Sequence, residues 1–400
     1  MSADAAIAHV PLTEPERRRS LVFLALAVGL VGFTMAIQMG LNANFLREDI
    51  GINGRQMGMI EAARESCGVV AFGVLALLAG LAEPLVGAAM LVLVAGGLAS
   101  YAFAHDFRWV VLMSLVWSQG LHVWMPLPNS MALALAQPGR AGHRLGQIGA
   151  AGSAGFGLGL LVAFVLTKFH VAMRPMYVVA GATAVLAAMA CLGIHRNVKT
   201  PGPRLVFRRR YALFYLLSFL EGWRKQIFTA FAGFLLVERY QTPLETILLL
   251  WLAIQAIGYV SAPRVGRLID RIGERRILVF YYACLTLFFV GYATIPVKHV
   301  LYALFVVDSA FFVFAMALTT YVNRIAPSRE HTPTLSMGVA MNHVAAVAMP
   351  FIGGILWTYG YKWTFLAGAA AAALSILAVL RVPRHVPRGP DGAAEAGTSG

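Results

Sequence analysis

The chain alternates between apolar runs and short polar segments that carry charge, glycine or proline. Each run has roughly 20 residues, enough for a helix that rises about 1.5 Å per residue to cross a bilayer. The runs lie at 21–45, 56–80, 84–104, 109–135, 145–167, 176–194, 212–237, 246–263, 277–297, 300–322, 334–358 and 363–380. The pattern predicts an all-α integral membrane protein with twelve transmembrane helices.

One polar stretch divides the runs into six and six. It contains Pro201, Pro203 and the triplet Arg208, Arg209 and Arg210, which mark a loop. The predicted organisation is a cytoplasmic N-terminal tail at 1–20, a six-helix bundle at 21–194, a cytoplasmic central loop at 195–211, a second six-helix bundle at 212–381 and a disordered C-terminal tail at 382–400. The equal halves also predict a parallel internal repeat.

Composition supports a lipid environment. Hydrophobic residues make up 59% of the chain and charged residues 12%, whereas a soluble domain carries about 25% charged residues. The net charge of +14 does not indicate a nucleic-acid partner, because the basic residues lie between the apolar runs without a stripe of interleaved aromatics. Most lysines and arginines fall in alternate connections, so both termini are expected on the cytoplasmic side.

The sequence does not indicate a cofactor, a metal or a catalytic residue. Cys67, Cys191 and Cys284 lie inside apolar runs and show no metal-ligand or redox spacing. There is no G-x-x-x-x-G-K-[ST] loop for a nucleotide, and no nucleophile elbow or metal-ligand cluster that would indicate an enzyme. The first run follows a polar segment without a cleavage site, so we interpret it as a retained helix rather than a signal peptide.

The connection after the eighth run carries a recognisable motif. The segment 266–276 reads G-R-L-I-D-R-I-G-E-R-R, which resembles the G-x-L-x-D-R-x-G-x-R-[RK] loop signature of the major facilitator superfamily. The resemblance implies two pseudo-symmetric six-helix bundles that work as a secondary transporter by alternating access. In that family the loop aspartate and its neighbouring arginines hold the cytoplasmic helix ends together when the protein opens outward. The implied gate residues are Gly266, Asp270, Arg271, Gly273, Arg275 and Arg276.

Two departures from the family pattern refine this prediction. The more usual position of the motif is the loop after the second run, where Leu77 replaces the aspartate. A Pro-x-x-Gly-Gly element of drug–proton antiporters falls in the eleventh run, at 350–354, instead of the fifth, which counts against multidrug efflux. The blocks 61–68 and 224–228 resemble those of a bacterial subgroup with an unassigned substrate. The resemblance therefore implies the bacterial inner membrane.

The second run carries charged residues, which cost about 2.5–3.5 kcal/mol each near the bilayer centre. Glu61, Arg64 and Glu65 have i, i+3, i+4 spacing, which places them on one helix face. They fit a structural ion-pair network. They also fit a transport site in which one glutamate exchanges protons while Arg64 contacts the substrate.

The seventh run repeats this spacing with Glu221, Arg224 and Lys225. Two cations and one acid leave a positive spot, and Arg224 lies near the middle of the run. A guanidinium there suits an anionic group of a substrate. The alternative, that Lys225 reaches a membrane interface, is disfavoured because more than ten residues separate it from either end of the run.

Other polar residues inside the runs complete the candidate set, although each also suits a hydrogen bond between helices. The expected substrate-binding residues are Arg64, Arg224, Lys225, Gln38, Asn42, Gln255, Tyr259 and Asn342. The expected proton-coupling residues are Glu61, Glu65, Glu221, Asp308, His122 and His343. Asp308 is an unpaired acid by sequence, since no cation lies within one helical turn of it.

These observations predict a secondary active transporter that moves a small anionic or zwitterionic organic solute and is coupled to protons. Its expected partners are that solute, protons and membrane lipid, with no nucleic acid, and it is expected to act as a monomer. An efflux pump for amphipathic compounds and a transport-inactive membrane receptor or scaffold are the alternatives.

Overall fold

A computed structural model of the protein describes residues 12–137, 140–198 and 207–382. All regular secondary structure in these ranges is helical, as predicted. The fifteen α-helices of the described residues are α1 Glu14–Asn44, α2 Gly54–Leu77, α3 Glu83–Ala99, α4 Phe107–Trp124, α5 Leu127–Ala134, α6 Ala141–Lys168, α7 Met173–Leu192, α8 Ala212–Ile227, α9 Gly233–Glu238, α10 Leu244–Ile272, α11 Glu274–Thr294, α12 Lys298–Phe311, α13 Met316–Ile325, α14 Ser328–Tyr359 and α15 Tyr361–Val379. The predicted disordered tail lies, apart from Val382, outside the described residues.

Short turns join several of these helices end to end. A π turn at Phe228–Ala232 links α8 to α9, and a 3-10 turn at Phe312–Ala315 links α12 to α13. Helices α4 and α5 are separated only at Met125 and Pro126, because proline lacks the N–H that would continue the helical hydrogen bonds. The fifteen helices of the described residues therefore form twelve helical segments.

Ten of these segments, in the part of the chain that the structure describes, are long and apolar enough to cross a membrane. They are Glu14–Asp49, Glu83–Phe103, Phe107–Ala134, Ala141–Lys168, Met173–Leu192, Leu244–Ile272, Glu274–Thr294, Lys298–Ile325, Pro333–Tyr359 and Tyr361–Val379. The other two are α2 and the α8–α9 segment, which carry the charged clusters of the second and seventh runs. Polar membrane helices are expected where charged side chains serve a function.

The described residues form two compact units. Unit 1 contains residues 12–53, 63–137, 140–198 and 241–252. Unit 2 contains residues 54–62, 207–240 and 253–382. The start of α2 therefore belongs to unit 2, and the start of α10 belongs to unit 1.

In unit 1, α1 packs on α6 and α7, while α3 packs on α4 and α7. The α1–α6 contact is made by backbone atoms, because a Cβ at Gly155 would overlap the carbonyl group of Gly29. Small residues allow this close approach where no hydrophobic driving force holds helices together in lipid. Packing against α1 thus explains Gly155 and Gly159 of α6, since a Cβ at Gly159 would likewise overlap the backbone of Phe33.

In unit 2, α8 packs on α14 and α15, and α11 packs on α15. A buried cluster that includes Tyr281 and Tyr282 of α11 fills the space among these helices. The connection between α10 and α11 turns at Gly273, whose φ of 87° is a conformation that residues with a side chain rarely adopt. This packing brings α8, α11 and α12 together at the charged residues of α8.

Candidate functional site

Helix α8 places Glu221 and Arg224 one turn apart in the interior of unit 2, and the Arg224 side chain has no exposed surface. The Nη2 atom of Arg224 donates hydrogen bonds to Oε1 of Glu221 and, over 2.7 Å, to the hydroxyl oxygen of Tyr281. The Tyr281 hydroxyl donates in turn to Oε1 of Glu221 over 2.9 Å. The three side chains form a closed ring of hydrogen bonds between α8 and α11.

A second carboxylate faces the same guanidinium. Oδ1 of Asp308, on α12, lies 3.8 Å from Nη1 of Arg224, and the Asp308 side chain is also fully buried. The sequence indicated an unpaired acid at position 308, but that view considered only residues within the same helix. We call Arg224, Glu221, Asp308 and Tyr281 the Arg224 cluster.

Aromatic rings enclose the Arg224 cluster. Cζ of Arg224 lies 4.4 Å from the ring centroid of Phe312, in the 3-10 turn after α12, and 5.4 Å from that of Tyr281. Phe228, in the π turn after α8, packs at 5.3 Å from Phe312. A cation over a ring face is stabilised by the ring quadrupole, and the rings exclude water. The irregular turns after α8 and α12 thus supply the walls of the cluster.

The Arg224 cluster holds one cation and two acids. If both carboxylates were ionised, one negative charge would stay uncompensated among the described residues, in a place without access to water. A buried uncompensated charge is strongly disfavoured. Both oxygens of Asp308 and Oε2 of Glu221 accept no hydrogen bond from the described part of the chain. The arrangement can therefore hold one proton on a carboxyl group.

Two other predicted residues of unit 2 lie close to this cluster without joining it. The side chain of Lys225 is exposed, although that of its neighbour Arg224 is buried. Asn342 of α14 donates from Nδ2 to the carbonyl oxygen of Ser218 on α8 over 3.4 Å. Asn342 therefore fixes the packing of α8 against α14.

The charged residues of α2 are divided between the units. Glu61 is buried and belongs to unit 2, whereas Arg64 and Glu65 belong to unit 1. Cζ of Arg64 lies 4.4 Å from the ring centroid of Trp117, and Oε2 of Glu65 lies 4.0 Å from Nε2 of His122. In unit 1, α2 and α4 thus bring three of the predicted residues together.

Ser118 ties this second group to the backbone. Its hydroxyl donates to the carbonyl oxygen of Arg64 over 2.8 Å and lies 3.1 Å from Nδ1 of His122. A serine one turn before a histidine is the only sequence signal for this contact. Trp117, Tyr281 and Phe312 were also missed as site residues, because each contacts an arginine on another helix and one-helix spacing gives no signal for such a contact.

The remaining predicted residues are not members of the Arg224 cluster. Gln38, which is fully buried on α1, donates to Oδ1 of Asn42 over 3.1 Å. Tyr259 on α10 is 82% exposed. Gln255 and His343 are half-buried on α10 and α14. The described contacts do not join these residues to the Arg224 cluster.

Comparison with known proteins establishes the family. The sequence model of the Major Facilitator Superfamily matches residues 24–331. The chain belongs to this superfamily. The predicted fold and the expectation of a transporter rather than an enzyme are thereby confirmed. The search of curated protein sequences found no match to this chain.

Solved structures of the same superfamily fold are similar over most of this chain. A point mutant of the nucleoside transporter NupG has a TM-score of 0.77 at 15% identity, covering 90% of this chain and 98% of its own. A bacterial homologue of the human lysosomal transporter Spinster has a TM-score of 0.72 at 12% identity, covering 92% and 98%. A D-xylose–proton symporter has a TM-score of 0.68 at 14% identity, covering 91% and 97%. At these identities the likeness concerns the fold.

The superfamily loop motif spans the end of α10 and the start of α11. Its predicted members are Gly266, Asp270, Arg271, Gly273, Arg275 and Arg276, and Asp270 is exposed. The buried acid of this loop is Glu274, whose Oε1 lies 2.6 Å from Nε of Arg324 on α13. Glu274 occupies a variable position of the motif, so the resemblance gave no signal for it.

The first half has a similar arrangement at the matching helix. Glu83, the first residue of α3, is buried, and its Oε1 accepts a hydrogen bond of 2.8 Å from Ser130 on α5. Leu77, which stands where the motif has its aspartate, is 85% exposed. An acid at the first turn of a helix is favoured by the helix dipole. Glu83 and Glu274 therefore anchor the starts of α3 and α11 in the same manner.

The segment before α8 is attached to the start of α14 by Glu330. The Tyr211 hydroxyl donates to Oε2 of Glu330 over 2.7 Å, Arg210 donates to the same oxygen, and Nη1 of Arg208 lies 3.3 Å from Oε1. The hydrogen bond from Tyr211, together with the bond and charge of Arg210, lowers the pKa of Glu330 below its ordinary value. This ionic attachment lies outside the membrane-spanning segments.

Proposed function

We propose that this chain is a proton-coupled secondary transporter that moves a small anionic or zwitterionic organic solute across a bacterial inner membrane. The observation that carries the proposal is the Arg224 cluster, in which a fully buried guanidinium faces Glu221 and Asp308. Charged residues at membrane depth are costly and usually functional. A purely structural pair would need only one acid for one arginine.

The second acid is the basis for proton coupling. With Arg224 paired to one carboxylate, the other carboxyl group keeps its proton, since its ionised form would be an uncompensated buried charge. Loss of that proton makes the cluster negative and favours a rearrangement that admits water or another cation. A D-xylose–proton symporter has the same fold, which supports protons as a driving ion for it.

The guanidinium is the basis for the charge of the solute. Arginine binds carboxylate or phosphate through two parallel hydrogen bonds. Because Arg224 is fully buried and bonded to Glu221 in this conformation, an anionic group reaches it by displacing the glutamate. The displaced carboxylate then takes up a proton. Exchange of partners on one guanidinium thus links solute binding to proton binding.

Transport by proteoliposomes tests this proposal. The purified protein is assayed against a panel of organic anions and zwitterions, with and without an imposed pH gradient. We expect accumulation that depends on the gradient, and we expect Asp308→Asn or Glu221→Gln to keep exchange but lose accumulation. Asp106→Asn is the matched control, because Asp106 is an exposed cap of α4 and an asparagine also caps a helix.

The other outcomes separate the alternatives. If both cluster variants still concentrate the solute in response to pH, proton coupling at the Arg224 cluster is wrong. Loss of accumulation only in Glu61→Gln or Glu65→Gln would move the proton site to α2. Extrusion of amphipathic dyes without uptake of any panel solute would identify an efflux pump. No movement of any solute would favour a receptor or scaffold.

A further inference from the structure

A cavity of about 560 Å³ lies beside the first turns of α1 in unit 1, and none of its described lining residues belongs to the Arg224 cluster. Its lining is basic on one side and apolar on the other. The lining residues are Glu14, Pro15, Arg18, Arg19, Val22 and Phe23. A lining of this kind fits a ligand with one anionic end and one hydrocarbon end.

The basic side carries charge that the described residues leave uncompensated. Glu14 is the only acid among the described lining residues; its Oε1 lies 3.7 Å from Nη1 of Arg17 and accepts a hydrogen bond of 3.0 Å from Gln137. Arg18 and Arg19 are exposed, and the structure describes no carboxylate that pairs with them. Two neighbouring guanidinium groups with free donors are a strong binding place for a phosphate.

The position of Arg19 is fixed by packing. Its Cζ lies 5.6 Å from the ring centroid of Phe23. The Phe23 ring rests on Gly193 at the end of α7, where a Cβ would overlap the ring. The arginine therefore stacks on a ring that is itself held between two helices, which reduces the entropy lost when a ligand binds.

The apolar side continues along the outer face of α1. Val22 is 60% exposed and Leu26 is 50% exposed, one helical turn further into the membrane span. Apolar side chains at this depth face acyl chains. The boundary between Arg19 and Val22 therefore corresponds to the boundary between headgroup and hydrocarbon.

We propose that this cavity binds one anionic phospholipid, with its phosphate between Arg18 and Arg19 and an acyl chain along Val22 and Leu26. Charge complementarity selects the headgroup, and the exposed aliphatic face selects a lipid over a free phosphate. The site does not involve the transported solute, so its test is independent of the test of the proposed function.

Native mass spectrometry of the full chain tests the site. The protein is titrated with phosphatidylglycerol and, separately, with phosphatidylcholine of the same acyl chains. We expect preferential retention of phosphatidylglycerol. Arg18→Gln and Arg19→Gln should each weaken it by about fivefold, the effect expected for one basic residue near an anionic headgroup. Arg17→Gln is the matched control, since it removes the same charge from the same helix turn but is paired with Glu14 and does not line the cavity.

The outcomes that would overturn the proposal are distinct. Equal losses in all three variants would mean a diffuse charge effect, and no loss in either cavity variant would mean that lipid binds elsewhere. Displacement of phosphatidylglycerol by glycerol 3-phosphate or inorganic phosphate would identify a free-anion site instead. Gel filtration of each variant shows whether it is folded, so a lost signal is assigned either to binding or to misfolding.

Discussion

Arg224 and Asp308 lie on different helices, expose none of their side chains, and approach to 3.8 Å between Nη1 and Oδ1. Since Nη2 of the same guanidinium is bonded to Glu221 and Tyr281, the two amino groups of Arg224 serve different partners. Arg224 thus joins α8, α11 and α12, and changes at this residue or its partners should have separable effects.

Replacing Arg224 by lysine should weaken solute binding by about tenfold or more, because a hydrogen bond to a charged group is worth about 1.5–3 kcal/mol. Lysine keeps the charge, but its single nitrogen cannot serve two separate partners in the fork geometry of a guanidinium. The measurement is the KM of uptake in proteoliposomes. An unchanged KM would mean that Arg224 is only a structural partner of Glu221 and Asp308.

Tyr281→Phe should lower the Tm of the protein in detergent, because it removes the donor to Glu221 and the acceptor for Arg224. Leaving buried polar groups without partners costs about 1–3 kcal/mol each. Tyr359→Phe is the control, since Tyr359 is 77% exposed. Equal Tm values for the two variants would contradict a stabilising role of the hydrogen-bond ring.

Stability should depend on pH through Glu330. Folding lowers the pKa of this carboxyl group from its ordinary 4.5, so its stabilising effect is complete above that value and is lost as the pH falls below it. Glu330→Gln should therefore reduce the loss of Tm between about pH 7 and about pH 3.5. Tyr211→Phe should also reduce it, because Tyr211 supplies the largest contribution to the shift. If the Tm of both variants falls with pH as steeply as that of the wild type, other carboxylates cause the acid sensitivity.

At the loop between α10 and α11, Asp270→Asn and Glu274→Gln should differ. Glu274 is buried against Arg324, whereas Asp270 is exposed, so loss of the Glu274 charge should loosen the start of α11 more. Labelling of a cysteine introduced at Ile272 gives the rate of exposure. Faster labelling in Asp270→Asn alone would support the aspartate as the gate residue and limit Glu274 to local packing.

Gly155→Ala should destabilise unit 1 by about 1–3 kcal/mol, the usual cost of overpacking, because the new methyl group would meet the backbone of Gly29. Gly157→Ala is a control two positions away on the same helix, where a methyl group has open space. Thermal unfolding of the purified variants gives both values. Similar Tm values for the two variants would mean that α1 and α6 can move slightly apart without loss of stability.

The alternation of apolar runs with short polar connections was sufficient to predict the helical segments of the described residues, including α2 and the α8–α9 segment, whose runs also carry charged residues. The depth of Arg224 in its run also predicted a residue inside the bundle, and the structure buries this side chain fully. The sequence could not predict that Asp308 would face Arg224, because spacing rules describe one helix at a time. The role of Tyr281 could not be predicted for the same reason, since its hydrogen-bond partners lie on another helix.

The prediction for Lys225 shows a limit of spacing arguments. Its i+4 relation to Glu221 suggested a shared face, yet Lys225 is exposed and Arg224 is buried. Adjacent residues of a helix point about 100° apart, so Arg224 and Lys225 lie to opposite sides of Glu221. The partners on α11 and α12 lie on the Arg224 side. The π turn at Phe228–Ala232 was also unpredicted, because no proline or glycine lies within it.

The backbone contact between α1 and α6 has a mechanical consequence. Because α1 and α6 meet backbone to backbone at Gly29 and Gly155, no side chains lie between them there to repack, and we expect the two helices to move together during a rearrangement of unit 1. Any bending of α1 is then expected outside the stretch that contacts α6. The π turn Phe45–Asp49 at the end of α1 is a rare winding that is frequent at functional sites, and it is where we expect this pair of helices to bend relative to the chain that follows.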